Sequence, residues 1–486
     1  MKLVPLHEIL ETPVLLLLIA ITFIRLSSNY LLNLDLHFDE AQYWAWSKDL
    51  DWGYYSKPPM VAWVISFFTF ICSDKEVCIR SASPILHFFT ALFVAGTAYK
   101  FKGIKAAMLA CFVYILMPGV AFSSMLTTTD VPLLFFSSVL MYFLVFIVLE
   151  KKLDLKLYTF FGLACGFAML SKYAVLLMLI GVFLGLFTSP GLLKKLSLKG
   201  ILLSIGIAFI IISPNIIWNF LNGFVTFQHT LDNSNIGALN LSLKRVFLFL
   251  FSQFAVFGPI SIICVILSLL KFTEIKGILR ILLFGTLGPL IIISLFAFIS
   301  KANMNWAAIA YVPGSIFLSC WLLENKKSKL IFNIIIGSNL IFSIVIPLLV
   351  YLGPNLIFDP FYKMRGINEF GKEVGLKVSS IEDASLLIDD REDFAHMLYY
   401  IDPKPKKMAK WNGNNRIDDH FDLTTNSNDL AGGPVVLLTR TKPTNAMLAR
   451  SNRRVKELGE IIMRKDSKYS RSYFMYVFFD WSKNNY

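Results

Sequence analysis

The sequence predicts an α-helical polytopic membrane protein of about eleven spans followed by a small α/β domain outside the bilayer. Three observations predict this. Of the 486 residues 56% are hydrophobic, 44 of them Phe, and the mean hydropathy is +0.62. Apolar runs long enough to cross a hydrocarbon core recur along the chain, and the composition changes abruptly after residue 352. Helices are the expected spans, because runs such as 330–352 are apolar on nearly every face, whereas a barrel needs short alternating strands.

The formal charge of +13 does not call for a nucleic acid, because Lys and Arg sit in small clusters between apolar runs and do not line one basic face. Basic clusters mark cytoplasmic loops. Lys100, Lys102 and Lys105 form one, Lys151, Lys152 and Lys156 a second, Lys194, Lys195 and Lys199 a third, Lys271, Lys276 and Arg280 a fourth, and Lys326, Lys327 and Lys329 a fifth. They fall at every second gap between apolar runs.

Taken in order, the spans lie near 12–32, 78–99, 105–122, 131–149, 157–171, 173–189, 200–217, 246–270, 280–299, 305–323 and 330–352. The first run, Pro13 to Ile24, has signal-peptide length, but no small-residue cleavage site follows, so it is expected to be retained. Around Ser171 and Lys172 either two short spans or one long one fit, and the charge pattern favours two. A cytoplasmic N-terminus and an odd number of spans place everything after Tyr351 outside the cytoplasm. The expected division is a membrane domain over 1–352, with an exported loop at 33–77, and a soluble domain over 353–486. In the latter, Ser385 to Ile388, Pro434 to Thr439 and Tyr473 to Phe479 read as strands, and Asp390 to Tyr400 and Lys442 to Glu460 as helical stretches. The six cysteines show no metal-ligand spacing. Cys72 and Cys78 share the first loop and could pair, free thiols being the preferred reading.

The first loop holds the densest group of carboxylates and aromatics: His37-Phe38-Asp39-Glu40-Ala41-Gln42-Tyr43-Trp44-Ala45-Trp46-Ser47, then Asp51-Trp52-Gly53-Tyr54-Tyr55-Ser56-Lys57-Pro58-Pro59. Asp39 and Glu40 follow the first helix closely, so the backbone holds them near the bilayer surface, where a lipid head group sits. Each ring either belongs to an interfacial aromatic belt or stacks on a sugar. The prolines fix the chain beyond Lys57, and 60–70 reads as an amphipathic or interfacial helix.

These residues resemble the loop of bacterial glycosyltransferase family 39, the membrane enzymes related to protein O-mannosyltransferases and to the aminoarabinose transferase acting on lipid A. In that family an acid pair follows the first helix, as Asp39 and Glu40 do here, and the first acid is associated with the reaction centre. A Lys-Pro-Pro supplies a ligand to the carrier phosphate, matched by Lys57, Pro58 and Pro59, with Tyr54 as the tyrosine before it. A second exported acid opens a later helix, matched by Thr127-Thr128-Thr129-Asp130-Val131-Pro132. The resemblance continues through Ser171-Lys172-Tyr173, Lys301-Ala302-Asn303-Met304-Asn305-Trp306 and Asp389-Asp390-Arg391. It implies the GT-C fold. Two departures bear on substrate: Ser56 stands where the aminoarabinose enzymes have glutamate before the lysine, and Gln42 where they have arginine.

The expected site therefore comprises Asp39, Glu40 and Asp130 as catalytic acids, with Tyr54, Tyr55, Lys57, Arg80, Lys172, Lys301 and Trp306 binding substrate. For Asp130 the rival role is capping its helix, and for Lys172 it is snorkelling to the interface. Lys57, Arg80, Lys172 and Lys301 break the positive-inside pattern on the side where a polyprenyl phosphate displays its sugar, and cations there neutralise a phosphate leaving group. Asp39 serves as general base if the acceptor is a hydroxyl, and as a positioning group if it is a phosphate. Arg391, Asp393, His396 and His229 read as folding or loop residues. No cofactor is predicted; a divalent metal is left open, although no histidines have zinc spacing.

The expected activity is transfer of a sugar from a polyprenyl-phosphate donor of the undecaprenyl type to lipid A, lipopolysaccharide or another envelope acceptor. It takes place at a bacterial inner membrane, on the periplasmic side, with inversion. The partners are those lipids and the bilayer. The rival readings are a transporter or flippase of a lipid-linked sugar, a protein O-mannosyltransferase-like activity, and a non-catalytic envelope scaffold. A transporter favours charges near the midplane and two related halves, and neither is visible.

Overall fold

The computed structural model describes residues 13–32, 34–150, 152–234, 241–324, 328–356, 359–451, 454–465 and 468–483. Lys151, Lys326 and Lys327 of the basic clusters lie outside the described residues. The chain divides into two compact units, Met1–Leu31 with Lys57–Pro347, and Leu32–Ser56 with Leu348–Tyr486. The loop at 33–77 is thus divided after Ser56, where the sequence reading kept it whole with the membrane domain. Residues 32–56 belong to the C-terminal unit because Asp35 carboxylate accepts from Ile367 N–H at 2.7 Å and Leu36 N–H donates to Tyr400 hydroxyl at 2.6 Å.

The first unit is helical. Among the described residues six helices are long and apolar enough to cross a membrane: Val14–Leu31, Glu76–Ile115, Asp130–Leu149, Leu198–Leu221, Ile278–Ile299 and Lys329–Asn355. Leu155–Ser171 and Val175–Phe187 are shorter apolar helices, divided at the Lys172 turn as the charge pattern favoured. Helix Glu76–Ile115 is broken at Gly103, whose φ of 76° and ψ of −170° no helix contains. That break lies among Lys100, Lys102 and Lys105, where the sequence separates two spans. The expected span at 246–270 is a pair of helices, Leu243–Phe257 and Pro259–Leu269, bent by 117°. The bend has a local cause: Gly258 adopts φ 97°, and Pro259 has no N–H to continue the ladder.

Helix Asp130–Leu149 runs through the core and packs on Glu76–Ile115 and Leu155–Ser171. Close approach elsewhere relies on small residues, since a Cβ at Gly185 would sit 2.7 Å from the Ile281 Cα of the neighbouring helix. Cys72 and Cys78 form a disulfide, with Cα atoms 5.7 Å apart, in place of the free thiols expected.

The second unit holds a five-stranded sheet. Its strands are β1 (Ser385–Ile388), β2 (Met408–Lys410), β3 (Val435–Thr439), β4 (Val455–Arg464) and β5 (Ser470–Phe478), in the order β2-β1-β3-β5-β4. β1 pairs parallel with β2 and β3, and β5 antiparallel with β3 and β4. The expected helical stretch at 442–460 is a correction. Only Asn445–Ala449 is helical, and β4 begins at Val455. Its charges sit three and four residues apart, which mimics a helix face, but Ile461 and Met463 are buried while Ile462 is exposed, the period of a strand.

Candidate active site

The first unit brings most of its predicted residues to one end. Lys172 ends helix Leu155–Ser171 in an extended conformation, and its ammonium donates to Asp130 Oδ1 at 2.7 Å. Asn305, the second residue of the 3-10 helix Met304–Ala310, donates to Asp130 Oδ2 at 2.7 Å. Both oxygens of Asp130 are therefore held by side chains from elsewhere in the chain. Capping is not what the threonines before it do: no side chain caps this helix at Thr129, and Thr127 hydroxyl donates to Ile79 carbonyl at 2.8 Å. Ser83 hydroxyl donates to Leu126 carbonyl at 2.7 Å, so the Thr127–Asp130 segment is pinned against the helical turn that bears Arg80. Arg80 itself is buried.

Lys57 precedes Pro58, Pro59 and helix Met60–Ile71. Met60 shares a small apolar cluster with Leu170 and Ile212, which anchors the Lys57 segment against the helix end bearing Lys172. That helix buries Met60, Val61, Ala62, Ile65 and Thr69 and leaves Phe70 exposed, as an amphipathic segment should. Trp306, next to Asn305, packs on Phe296 with ring centroids 5.4 Å apart. Lys301 is exposed. The turn is fixed from below, since Gln253 Nε2 donates to Met304 carbonyl at 3.2 Å and Gln253 Oε1 accepts from Tyr311 hydroxyl at 2.6 Å.

In the second unit, Asp39 and Glu40 open helix Phe38–Lys48. Their roles differ. Glu40 is buried, and its carboxylate accepts from His37 N–H at 3.1 Å, closing a capping box. Asp39 keeps 41% of its side chain exposed, 3.7 Å from His37 Nδ1. The open carboxylate of the pair is thus the first one.

The rings of this segment are packing residues here. Tyr54 stacks on Trp46 at 4.5 Å and 1°, and its hydroxyl accepts from Asp51 N–H at 3.1 Å and donates to Trp46 carbonyl at 3.0 Å. Burial pushes its phenol above the ordinary range. Tyr55 is buried as well, and Trp44 meets Tyr399 edge-on at 4.8 Å. Tyr54 and Tyr55 are expected substrate-binding residues; both rings are buried, and packing these large rings against the C-terminal segment is what ties 32–56 to its unit.

Asn305 is the residue that sequence reasoning missed as a ligand of the site, although its segment was singled out. An amide in a short turn beside a lysine and a tryptophan was the available signal. Among the described residues no group of three or more His, Cys, Asp or Glu is placed to hold a metal ion.

Residues 56–218 match the family model described as dolichyl-phosphate-mannose-protein mannosyltransferase. Over 372 residues, 75% of this chain and 77% of the relative, the sequence is 32% identical to the lipid A galacturonosyltransferase RgtD of Rhizobium johnstonii. The chain belongs to the GT-C glycosyltransferases. The fold of this glycosyltransferase is shared with ArnT from Cupriavidus metallidurans bound to undecaprenyl phosphate, at a TM-score of 0.64 and 12% identity, covering 95% of this chain and 97% of that one. It is shared more distantly with the Archaeoglobus fulgidus oligosaccharyltransferase tethered with an acceptor peptide, at a TM-score of 0.51 and 11% identity, over 86% and 68% of the two chains.

Proposed function

We propose that this glycosyltransferase moves a sugar from a polyprenyl phosphate onto lipid A, at the periplasmic face of a bacterial inner membrane, with its C-terminal unit on that side. The acceptor class follows the name of the relative that is 32% identical, and galacturonate is accordingly the first donor sugar to test. The geometric observation that carries the reading is the Lys172–Asp130–Asn305 cluster: a charged group bonded on both oxygens at one end of an apolar helical unit, where each ionisable residue is costly.

In this reading Lys57, Arg80 and Lys172 hold the carrier phosphate and neutralise the charge that grows on it as the bond from the anomeric carbon to phosphate oxygen breaks. Lys301 and Trp306 border the donor. The acceptor oxygen forms the new bond from the opposite face, with inversion. If that oxygen is a hydroxyl, Asp39 takes its proton; if it is a phosphate oxygen, Asp39 orients the sugar. Asp130 positions Lys172 and is not itself a base, because both its oxygens already accept hydrogen bonds.

The test compares lipid A from cells making the wild-type chain, the Asp39→Asn chain or neither, by mass spectrometry. Wild type should add one sugar mass to lipid A, and Asp39→Asn should lower that product by at least about 100-fold at equal protein in the membrane. Unchanged product with Asp39→Asn removes Asp39 from the reaction, and no new mass on lipid A in any strain removes the acceptor.

A further inference from the structure

A small cavity of about 50 Å³ lies inside the second unit, lined among others by His37, His396, Lys465, Arg471, Glu392 and Tyr473. None of the roles assigned above uses it. Its polar groups are unusual for a folding core. Lys465 is only 9% exposed, and among the described residues its ammonium makes no ion pair, facing the Tyr362 ring at 5.7 Å instead. Burial, with the charge of Arg471 nearby, lowers its pKa to about 8. His396 is 8% exposed; its ring bonds the Leu36 backbone, and its Nε2 has no partner among the described residues.

The buried His396 Nε2, without a partner among the described residues, costs free energy unless something satisfies it, and Lys465, which makes no ion pair among the described residues, lines the same cavity. The carboxylates nearby do not offset its charge. Asp393 is already held by Arg440 at 2.8 Å and by Tyr473 hydroxyl at 2.8 Å, which leaves Glu392 against the cations Lys465, Arg471 and the exposed Lys363 at the rim. The balance is positive. The Leu36 carbonyl takes the proton of the other ring nitrogen, so Nε2 offers a lone pair and calls for a donor.

We propose that this cavity is a binding site for a protonated phosphate group, with Lys465 and Arg471 donating to its oxygens and His396 Nε2 accepting its P–O–H. A monoprotonated phosphate supplies both an acceptor surface and one donor, whereas sulfate lacks the donor. The size agrees: one buried water needs roughly 10–15 Å³ of such space, so the cavity takes a handful of oxygens and excludes a whole sugar ring. His37 and Phe38 line the same cavity, and His37 caps the helix that carries Asp39, so an occupied site braces the start of that helix. The phosphate comes either from the free ion or from the terminal phosphate of a larger ester.

The test uses the full chain in detergent and follows its thermal unfolding against inorganic phosphate, sulfate and glycerol 3-phosphate. Phosphate should raise the unfolding temperature saturably, and sulfate should need at least a tenfold higher concentration. Lys465→Met should weaken the phosphate response at least tenfold, with Arg471→Gln at the half-buried rim as a second variant should the first not fold. Lys271→Met, at an exposed position of the other unit with no part in the proposed reaction, should leave the response unchanged. Glycerol 3-phosphate acting like phosphate supports an ester as the source, and phosphate alone acting supports the free ion. The proposal is overturned by no saturable response, by sulfate equal to phosphate, or by a wild-type response in the Lys465 and Arg471 variants.

Discussion

The two units bury charge for different reasons. In the C-terminal unit the ion pairs with a buried carboxylate each tie a cap or loop to its neighbours: Arg440 joins Asp393, and with it the part-exposed Asp390, at the start of helix Arg391–Tyr400, Lys410 on β2 joins Asp419 and Asp422, and Arg365 joins Asp359. In the helical unit, apolar packing secures the elements, and Lys100–Glu150 and Lys271–Glu274 are more open pairs. Lys172–Asp130 stands apart, with side chains 19% and 10% exposed and no helix cap depending on it. A charge pair surplus to folding in an apolar unit points to chemistry, whereas a pair stapling a loop points to stability.

Breaking each kind of pair should separate the two. Lys172→Met leaves Asp130 buried without its cation, which costs about 3–5 kcal/mol and lowers transfer on the order of 100-fold. Adding Asp130→Asn should restore most of the unfolding temperature and none of the rate; recovery of both would make the pair structural. Arg440→Met should cost about 3 kcal/mol of unfolding stability for the same electrostatic reason, yet leave the transfer rate per folded molecule within twofold. A large loss of rate at normal stability would erase the contrast between the units.

Two smaller effects sharpen it. Asn305→Ala removes one charge-assisted hydrogen bond from an exposed amide, worth about 1 kcal/mol, so transfer should fall roughly fivefold with little change in unfolding. In the C-terminal unit, burial lowers the pKa of His396 from 6.5 to about 3 and of His420 from 6.5 to about 4. The unfolded chain therefore binds more protons than the folded one between those values. Stability from these two rings is complete above about pH 6.5 and is lost as pH falls toward 4 and 3. Unfolding of this unit should come at lower temperature at pH 5 than at pH 7, and replacing both histidines with Gln should flatten that slope.

Much of the fold was legible because hydrophobic runs and basic clusters are local signals. Lys100, Lys102 and Lys105 mark the break at Gly103, and Lys172 marks the turn between two short helices. What sequence could not give depends on partners distant in the chain. β4 is a separate case: it pairs with its sequence neighbour β5, Arg464 opposite Ser470, and the helix-like charge spacing of the stretch hides its alternation. Residues 32–56 were assigned to the membrane domain because they follow its first helix, although Asp35 and Leu36 are bound by Ile367 and Tyr400. At the site, Asp130 and Lys172 were legible as costly charges at one surface. Their pairing was not, nor was Asn305, since a turn amide carries no charge signal. Tyr54 shows the reverse case, a motif residue whose ring the fold buries.

The most direct measurement of the central claim mixes the purified full chain in detergent with a polyprenyl-phosphate galacturonate and lipid A, and counts both products by mass spectrometry over time. The account predicts glycosylated lipid A and free polyprenyl phosphate appearing in equal amounts, with both lost together in Lys172→Met. Intact donor throughout, with folded protein and both lipids present, would contradict it.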